Sequence, residues 1–206
     1  MIGVTAQVTI NDELTDADRR VLTAFGKNAA VSIDIGTFVG GSAEAILLGG
    51  GIVYTIDNYA GPYNQTARAC PPELLKHLAA DRLDQYGERV VLLIGDSLSF
   101  ARLFPESSVD FVFIDGGHDF TNAKSDMEAW LPALKPAGIM AGHDLDRSLL
   151  TEMLSQKITD MLADTDRGPD NRHYGVFKAL VETFTQFETA KDIESSIWWV
   201  KPEWKK

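Results

Sequence analysis

At 206 residues, with 45% hydrophobic and 24% charged side chains, the chain has the size and make-up of one soluble globular domain with a full core. A formal net charge of −11 leaves no basic footprint for nucleic acid and disfavours docking on an anionic membrane, so neither is an expected partner. Cys70 is the only cysteine, which excludes an intrachain disulfide and suits a reducing cytoplasm. The opening MIGVTAQVTI has neither the basic start nor the apolar core of a signal peptide, and no run approaches the ~20 apolar residues of a membrane span. The expected location is therefore cytoplasmic.

Residues 12–28 read as a helix ahead of the first strand. Thr15 is its cap, Asp16 and Asp18 lie in its first turn, and Leu14, Val21, Leu22 and Phe25 form an apolar stripe. Packing against the sheet is its expected use, with a cover over substrate as the second reading. Residues 30–35 read as the first strand, which runs through Asp34 into Gly36, Gly40 and Gly41 before Ser42 opens a helix over 41–48. Glycines let such a turn adopt positive φ and let a ligand approach the backbone, while the helix start leaves N–H groups free for a negative group. The spacing Asp-x-Gly-x-x-x-Gly-x-Ser is not the Gly-x-Gly-x-x-Gly of nicotinamide dinucleotide binders, which argues against an oxidoreductase of that kind.

Gly49, Gly50 and Gly51 end that helix, and residues 52–56 form a second strand that closes on Asp57. Asp57 stands ~20 residues past the glycine loop, the distance at which an acid meets the vicinal hydroxyls of a ribose. Asn58 flanks it, and a cap of the next turn is the other reading of Asp57. Residues 59–65 form a loop bordering the pocket, and residues 72–85 a helix. Residues 89–94 are the third strand, ending in Gly95-Asp96-Ser97, where Ser97 suits the cap of a helix over 98–103.

The run VDFVFI at 109–114 is a fourth strand of the kind buried on both faces, and it ends in Asp115-Gly116-Gly117-His118. A helix over 119–134 follows, with Met127 and Trp130 in the core, and Pro136 and Gly138 mark its exit. Residues 139–142 are the fifth strand, ending in His143-Asp144. Residues 145–172 are longer than an ordinary connection and read as a lid or as a contact in a homo-oligomer. His173 falls in a loop and carries no assigned part. A helix over 174–184 and two short strands at 187–190 and 197–200 close the sheet as an antiparallel pair.

Strand and helix alternating five times predict an α/β fold. The expectation is a Rossmann-like, doubly wound, mostly parallel sheet with a C-terminal antiparallel pair and helices on both faces, all in a single domain over 1–206. Ligands in such sheets bind beyond the carboxyl ends of the strands. Each of the five strands delivers an acid there: Asp34, Asp57, Asp96, Asp115 and Asp144. A cationic ligand, a metal ion, or both would offset their repulsion.

VSIDIGTFVGGS at 31–42 resembles motif I of the class I S-adenosylmethionine-dependent methyltransferases. FIDGGHDFTNAKSDMEAWLPALKPAGIMAGHD at 113–144 resembles a branch of that family containing sugar and macrolide O-methyltransferases, whose layout the catechol-type O-methyltransferases share. YGVFKAL and the final WWV resemble it more weakly. The resemblance implies that Asp34, Gly36, Thr37 and Gly40 form the loop under the methionine part of S-adenosyl-L-methionine, with Ser42 near its carboxylate. Asp57 and Asn58 would then meet the ribose, and Asp96 and Ser97 the adenine, with Asp115 shared between cofactor and chemistry. In the metal-dependent relatives an acid ending strand four and two adjacent residues ending strand five bind a divalent cation. Those positions are Asp115, His143 and Asp144 here, and the base position of those relatives, a Lys or His, falls on His118.

His118 suits the base on physical grounds, since an unperturbed imidazole has a pKa of ~6.5. His143 departs from the pattern, because the metal-dependent relatives usually carry an acid there. Magnesium prefers all-oxygen ligands, so an imidazole favours manganese, iron or zinc, or marks a site that holds no metal. The resemblance thus implies an O-methyltransferase acting on a hydroxyl of a small molecule, such as a sugar or secondary metabolite. Metal-free transfer to nitrogen and a non-catalytic, cofactor-binding partner subunit remain as alternatives.

Overall fold

The computed structural model describes residues 10–60, 70–149 and 173–206. The 145–172 segment lies outside the described residues from position 150 onward, as does most of the 59–65 loop.

α1 spans Asp16–Gly26, shorter than the 12–28 expectation. Its start is fixed by a capping box, in which Thr15 and Asp18 satisfy one another's backbone N–H groups. β1 (Val31–Ile35), α2 (Gly41–Gly49), β2 (Ile52–Asp57) and α3 (Pro72–Leu83) follow in the expected order. β3 is Val90–Ile94 and α4 is Ser97–Ala101. The cap of α4 is Asp96 rather than Ser97, because its carboxylate takes the Ser99 N–H. β4 (Val109–Ile114) is as expected, but α5 (Phe120–Trp130) ends earlier.

Pro132 sits in a short 3-10 turn over Leu131–Ala133, and β5 (Leu134–Gly142) begins directly after it. Pro136 and Gly138 therefore lie inside a strand instead of marking a helix exit. They are tolerated because the register of β5 against β4 shifts between Val109 and Phe111, which leaves these residues out of regular pairing. α6 (Tyr174–Thr183), β6 (Glu188–Thr189) and β7 (Trp198–Val200) complete the chain.

The strands form one seven-stranded sheet in the order β3-β2-β1-β4-β5-β7-β6. β1 to β5 are parallel, and β7 runs antiparallel to both β5 and β6. This is the doubly wound, mostly parallel architecture expected, with its crossover point between β1 and β4. Period-two alternation divides the core into two layers. Phe111 and Phe113 pack with Leu22, Ile46 and Leu47 beneath α1 and α2. Val112 and Ile114 pack on the opposite face with Met127, Trp130, Phe177 and Leu180 from α5 and α6. No helix among the described residues is long and apolar enough to cross a membrane.

Candidate active site

A cavity of about 440 Å³ opens over the carboxyl ends of the parallel strands, where a doubly wound sheet receives ligands. The turn after β1 forms its floor. Gly36 has φ +95°, and a Cβ there would stand 2.1 Å from the Asp115 carbonyl oxygen, so only glycine lets this turn meet the end of β4. Gly36 and Thr37 donate their N–H groups to the Ile56 carbonyl at 2.9 and 3.3 Å, which fixes the turn on β2. Gly36, Thr37 and Ser42 line the cavity.

Asp34 and Gly40 do not line it. Asp34 lies fully buried beneath the floor, where Thr55 donates to its Oδ2 at 2.6 Å and Thr37 and Thr55 share a 2.6 Å bond. Burial pushes its carboxyl up to about 7, against hydrogen bonds from Thr55 and Ser42. Gly40 is the left-handed cap of α2 and faces Leu83. Both hold the loop from outside the cavity.

Asp57 lines the cavity at the end of β2. Its two oxygens accept backbone N–H groups from Phe38 at 2.8 Å and Tyr59 at 2.7 Å. Phe38 (φ 47°) and Tyr59 (φ 52°) are both left-handed, as are the cavity-lining Glu13 and Asp144. Left-handed non-glycine residues are uncommon and tend to collect at functional sites. Asn58 also lines the cavity, with its Oδ1 taken up by the Ala60 N–H at 2.9 Å.

On the β3 side, Asp96 is exposed and its carboxylate caps α4. Hydrogen bonds from Ser99 hold it below the usual carboxylate range. Ser97 Oγ accepts the Trp130 indole N–H at 2.8 Å and stands beside Asp126. Asp126 is a cavity residue that sequence reasoning missed. It sits at a core position of α5, and burial pushes its carboxyl up to about 6, against the Ser97 bond. Asp12 is another. Its carboxylate lies against Gly41 at the start of α2 and is gripped by Arg19 at 2.6 Å and Arg82 at 2.6 Å.

The ends of β4 and β5 bring Asp115, His118, His143 and Asp144 together. His118 Nε2 stands 3.1 Å from Asp144 Oδ2 and 3.4 Å from Asp115 Oδ1. His143 Nδ1 stands 3.3 Å from Asp144 Oδ1 and 3.8 Å from Asp115 Oδ1. His173, at the start of α6, approaches Asp144 Oδ2 to 3.7 Å and meets the His118 ring edge-on at 4.7 Å between centroids. α6 can come this close because Gly175 packs on the backbone of 118–120, where a Cβ would be 2.3 Å from the His118 carbonyl oxygen.

Behind His143 stands a residue that the sequence reading placed only in the first turn of α1. Asp18 of α1 is 1% exposed, and its Oδ2 lies 3.3 Å from His143 Nε2, across 125 residues of sequence. The helix dipole accounts for an acid at 18, as does the capping box with Thr15, without reference to the site. Burial works against charge in this group, yet the neighbours overrule it. Burial pulls His143 down, but Asp115, Asp144 and Asp18 raise it well above the ordinary histidine value. Burial pushes Asp144 up, but the His143 bond and the His118 and His173 charges hold it well below the carboxylate range. Asp18 is likewise pushed up by burial and held low by hydrogen bonds from His143, Ser195 and Thr15.

Asp115, His143 and Asp144 present ligand atoms close enough together for one metal ion, as do His118, Asp144 and His173. The first set fits a cation on donor chemistry. It offers two carboxylates and one imidazole, and the second ring nitrogen of that imidazole already faces a buried carboxylate.

Residues 33–145 match a family model described as a methyltransferase domain. Several solved structures share the fold. An O-methyltransferase from Bacillus cereus in complex with SAH is 19% identical with a TM-score of 0.59, over 92% of this chain and 82% of that one. The cofactor-bound Rv0187 from MTB is 14% identical with a TM-score of 0.64, over 93% and 82%. A SAH-bound methyltransferase from Podospora anserina is 15% identical with a TM-score of 0.56, over 91% and 78%. At these identities the likeness is one of fold.

Proposed function

Because the chain belongs to the methyltransferase-domain family, we propose that it moves the methyl group of S-adenosyl-L-methionine to a hydroxyl oxygen of a small molecule, with His118 as base. One observation carries this reading. The His118 imidazole lies within 3.1 to 3.4 Å of two carboxylates inside the same cavity that the Gly36 turn and Asp57 line. A methyl donor seated over the turn and a hydroxyl seated by the β4 and β5 ends would then meet in one space.

Bound S-adenosyl-L-methionine supplies a methyl group already activated on a positive sulfur. The chain must align the acceptor and take its proton. Asp57 would accept the ribose hydroxyls on its clamped oxygens. His118 would take the hydroxyl proton as the oxygen forms its bond to the methyl carbon and the carbon–sulfur bond breaks. The electron pair returns to sulfur, leaving the neutral thioether SAH and a proton on His118. Asp115 and Asp144 would stabilise the imidazolium so formed. Asp115, His143 and Asp144 would hold a divalent cation, whose charge at that point lowers the pKa of a hydroxyl beside it.

Isothermal titration with S-adenosyl-L-methionine, followed by a methyl-transfer assay on catechol and sugar hydroxyls, tests the reading. Binding is expected, and His118→Ala should slow transfer by about 10²- to 10⁴-fold while leaving donor affinity unchanged. Absence of donor binding at millimolar concentration would overturn the proposal. Equal loss of binding and transfer in His118→Ala would make His118 structural.

A further inference from the structure

We propose that Asp18 is a positioning residue. It holds His143 with Nδ1 turned toward Asp115 and Asp144, so that the site takes a transition-metal dication such as manganese(II) in preference to magnesium(II). This rests on the cation-binding reading of the site given above.

An acid at 143, as in the metal-dependent relatives, would need no such partner. An imidazole does, because the nitrogen that offers a lone pair is set by what the other nitrogen bonds. Here His143 Nε2 faces Asp18 Oδ2 at 3.3 Å, so in the neutral ring that ligates a cation the proton is held on Nε2, and Nδ1, 3.3 Å from Asp144 Oδ1 and 3.8 Å from Asp115 Oδ1, offers the lone pair. A carboxylate behind a ligating imidazole is the arrangement that fixes its tautomer and raises its basicity.

Asp18 cannot swing away. It is buried, and its Oδ2 also accepts from Thr15 N at 2.9 Å and Thr15 Oγ1 at 2.7 Å. The other end of His143 is equally fixed. Its N–H donates to the Ile114 carbonyl at 3.2 Å, and its carbonyl accepts the Trp198 indole N–H at 3.1 Å. A nitrogen donor held between two carboxylates suits borderline cations better than magnesium. α1 thereby becomes part of the site.

The test is cation binding to the full chain without methyl donor, by loss of the free manganese(II) EPR signal and by competition with magnesium(II). Wild type should bind manganese(II) more tightly. Asp18→Asn should weaken manganese(II) by about 10- to 100-fold. Thr15→Ala removes the cap hydroxyl but keeps the Asp18 carboxylate. It should lower the melting temperature but weaken manganese(II) far less than Asp18→Asn does, because the Thr15 N–H still holds Asp18 Oδ2.

Equal affinity losses in both variants would reduce Asp18 to a capping residue and overturn the proposal. So would a wild type that binds neither cation, in which case His143 sits among the carboxylates as an imidazolium in place of a metal. If Asp18→Asn fails to fold, pulsed-EPR nitrogen coupling to bound manganese(II) decides. It should be present in wild type, kept in His118→Ala and lost in His143→Asn, and coupling that survives in His143→Asn overturns the proposal. Donor titration separates the two readings, since a chain that binds S-adenosyl-L-methionine but not manganese(II) overturns only this one.

Discussion

Asp34 carries a charge problem that the fold solves locally. Its carboxyl is pushed up to about 7 by burial, against bonds from Thr55 and Ser42, with the charges of Asp115 and Asp57 adding to the rise. A carboxyl whose folded pKa exceeds its unfolded value holds its proton longer in the native state. Its stabilising effect is therefore present below about pH 4 and is lost as pH rises toward 7. Asp34→Asn keeps an acceptor for Thr55 but cannot ionise. Urea unfolding of both proteins at pH 4 and pH 8 should show the difference moving in the variant's favour by a few kcal/mol. A difference that stays constant with pH would mean that Asp34 takes up no extra proton on folding.

At the scale of elements, the site depends on how closely helices approach strand ends. α6 packs against the 118–120 backbone through Gly175, and a methyl group there meets the His118 carbonyl oxygen. Gly175→Ala should push α6 and the His118 turn apart. The expected result is a lower transfer rate and a lower melting temperature with donor affinity near wild type, because the Gly36 turn is untouched. Kinetics and titration on the same preparation check this, and unchanged kinetics would show that the turn absorbs the shift.

The same scale shows what was legible in the sequence. Strands β1 to β4 were readable because each is an apolar run punctuated by an acid or glycine, and Thr15 announced the start of α1. β5 was misjudged at its start because Pro136 and Gly138 signal a break, whereas a register shift against β4 accommodates both. Ser97 looked like a cap, but the neighbouring Asp96 takes the N–H of Ser99 and frees Ser97 for Trp130. Asp18, Asp12 and Asp126 stayed hidden because local rules already explain them as a capping acid, a loop acid and a polar residue within a helix. Only tertiary contact reveals what they face.

At the scale of the whole molecule, a net charge of −11 and a rim of acids at one sheet edge set the field that a charged ligand meets. Asp57, Asp96, Asp115 and Asp144 line the same cavity, while His143, raised well above the ordinary histidine value, offsets part of their charge. S-adenosyl-L-methionine and SAH differ chiefly in the methyl group and the positive charge on sulfur, so the field acts on one far more than on the other. Salt screens such a field over about 10 Å at 0.1 M and about 3 Å at 1 M. Titrations between 0.05 and 1 M sodium chloride should therefore weaken S-adenosyl-L-methionine several-fold more than SAH, with the partly enclosed cavity limiting the effect. If both ligands weaken in parallel, the salt acts on the carboxylate and amine they share. The acids would then shape the cavity without selecting the charge on sulfur.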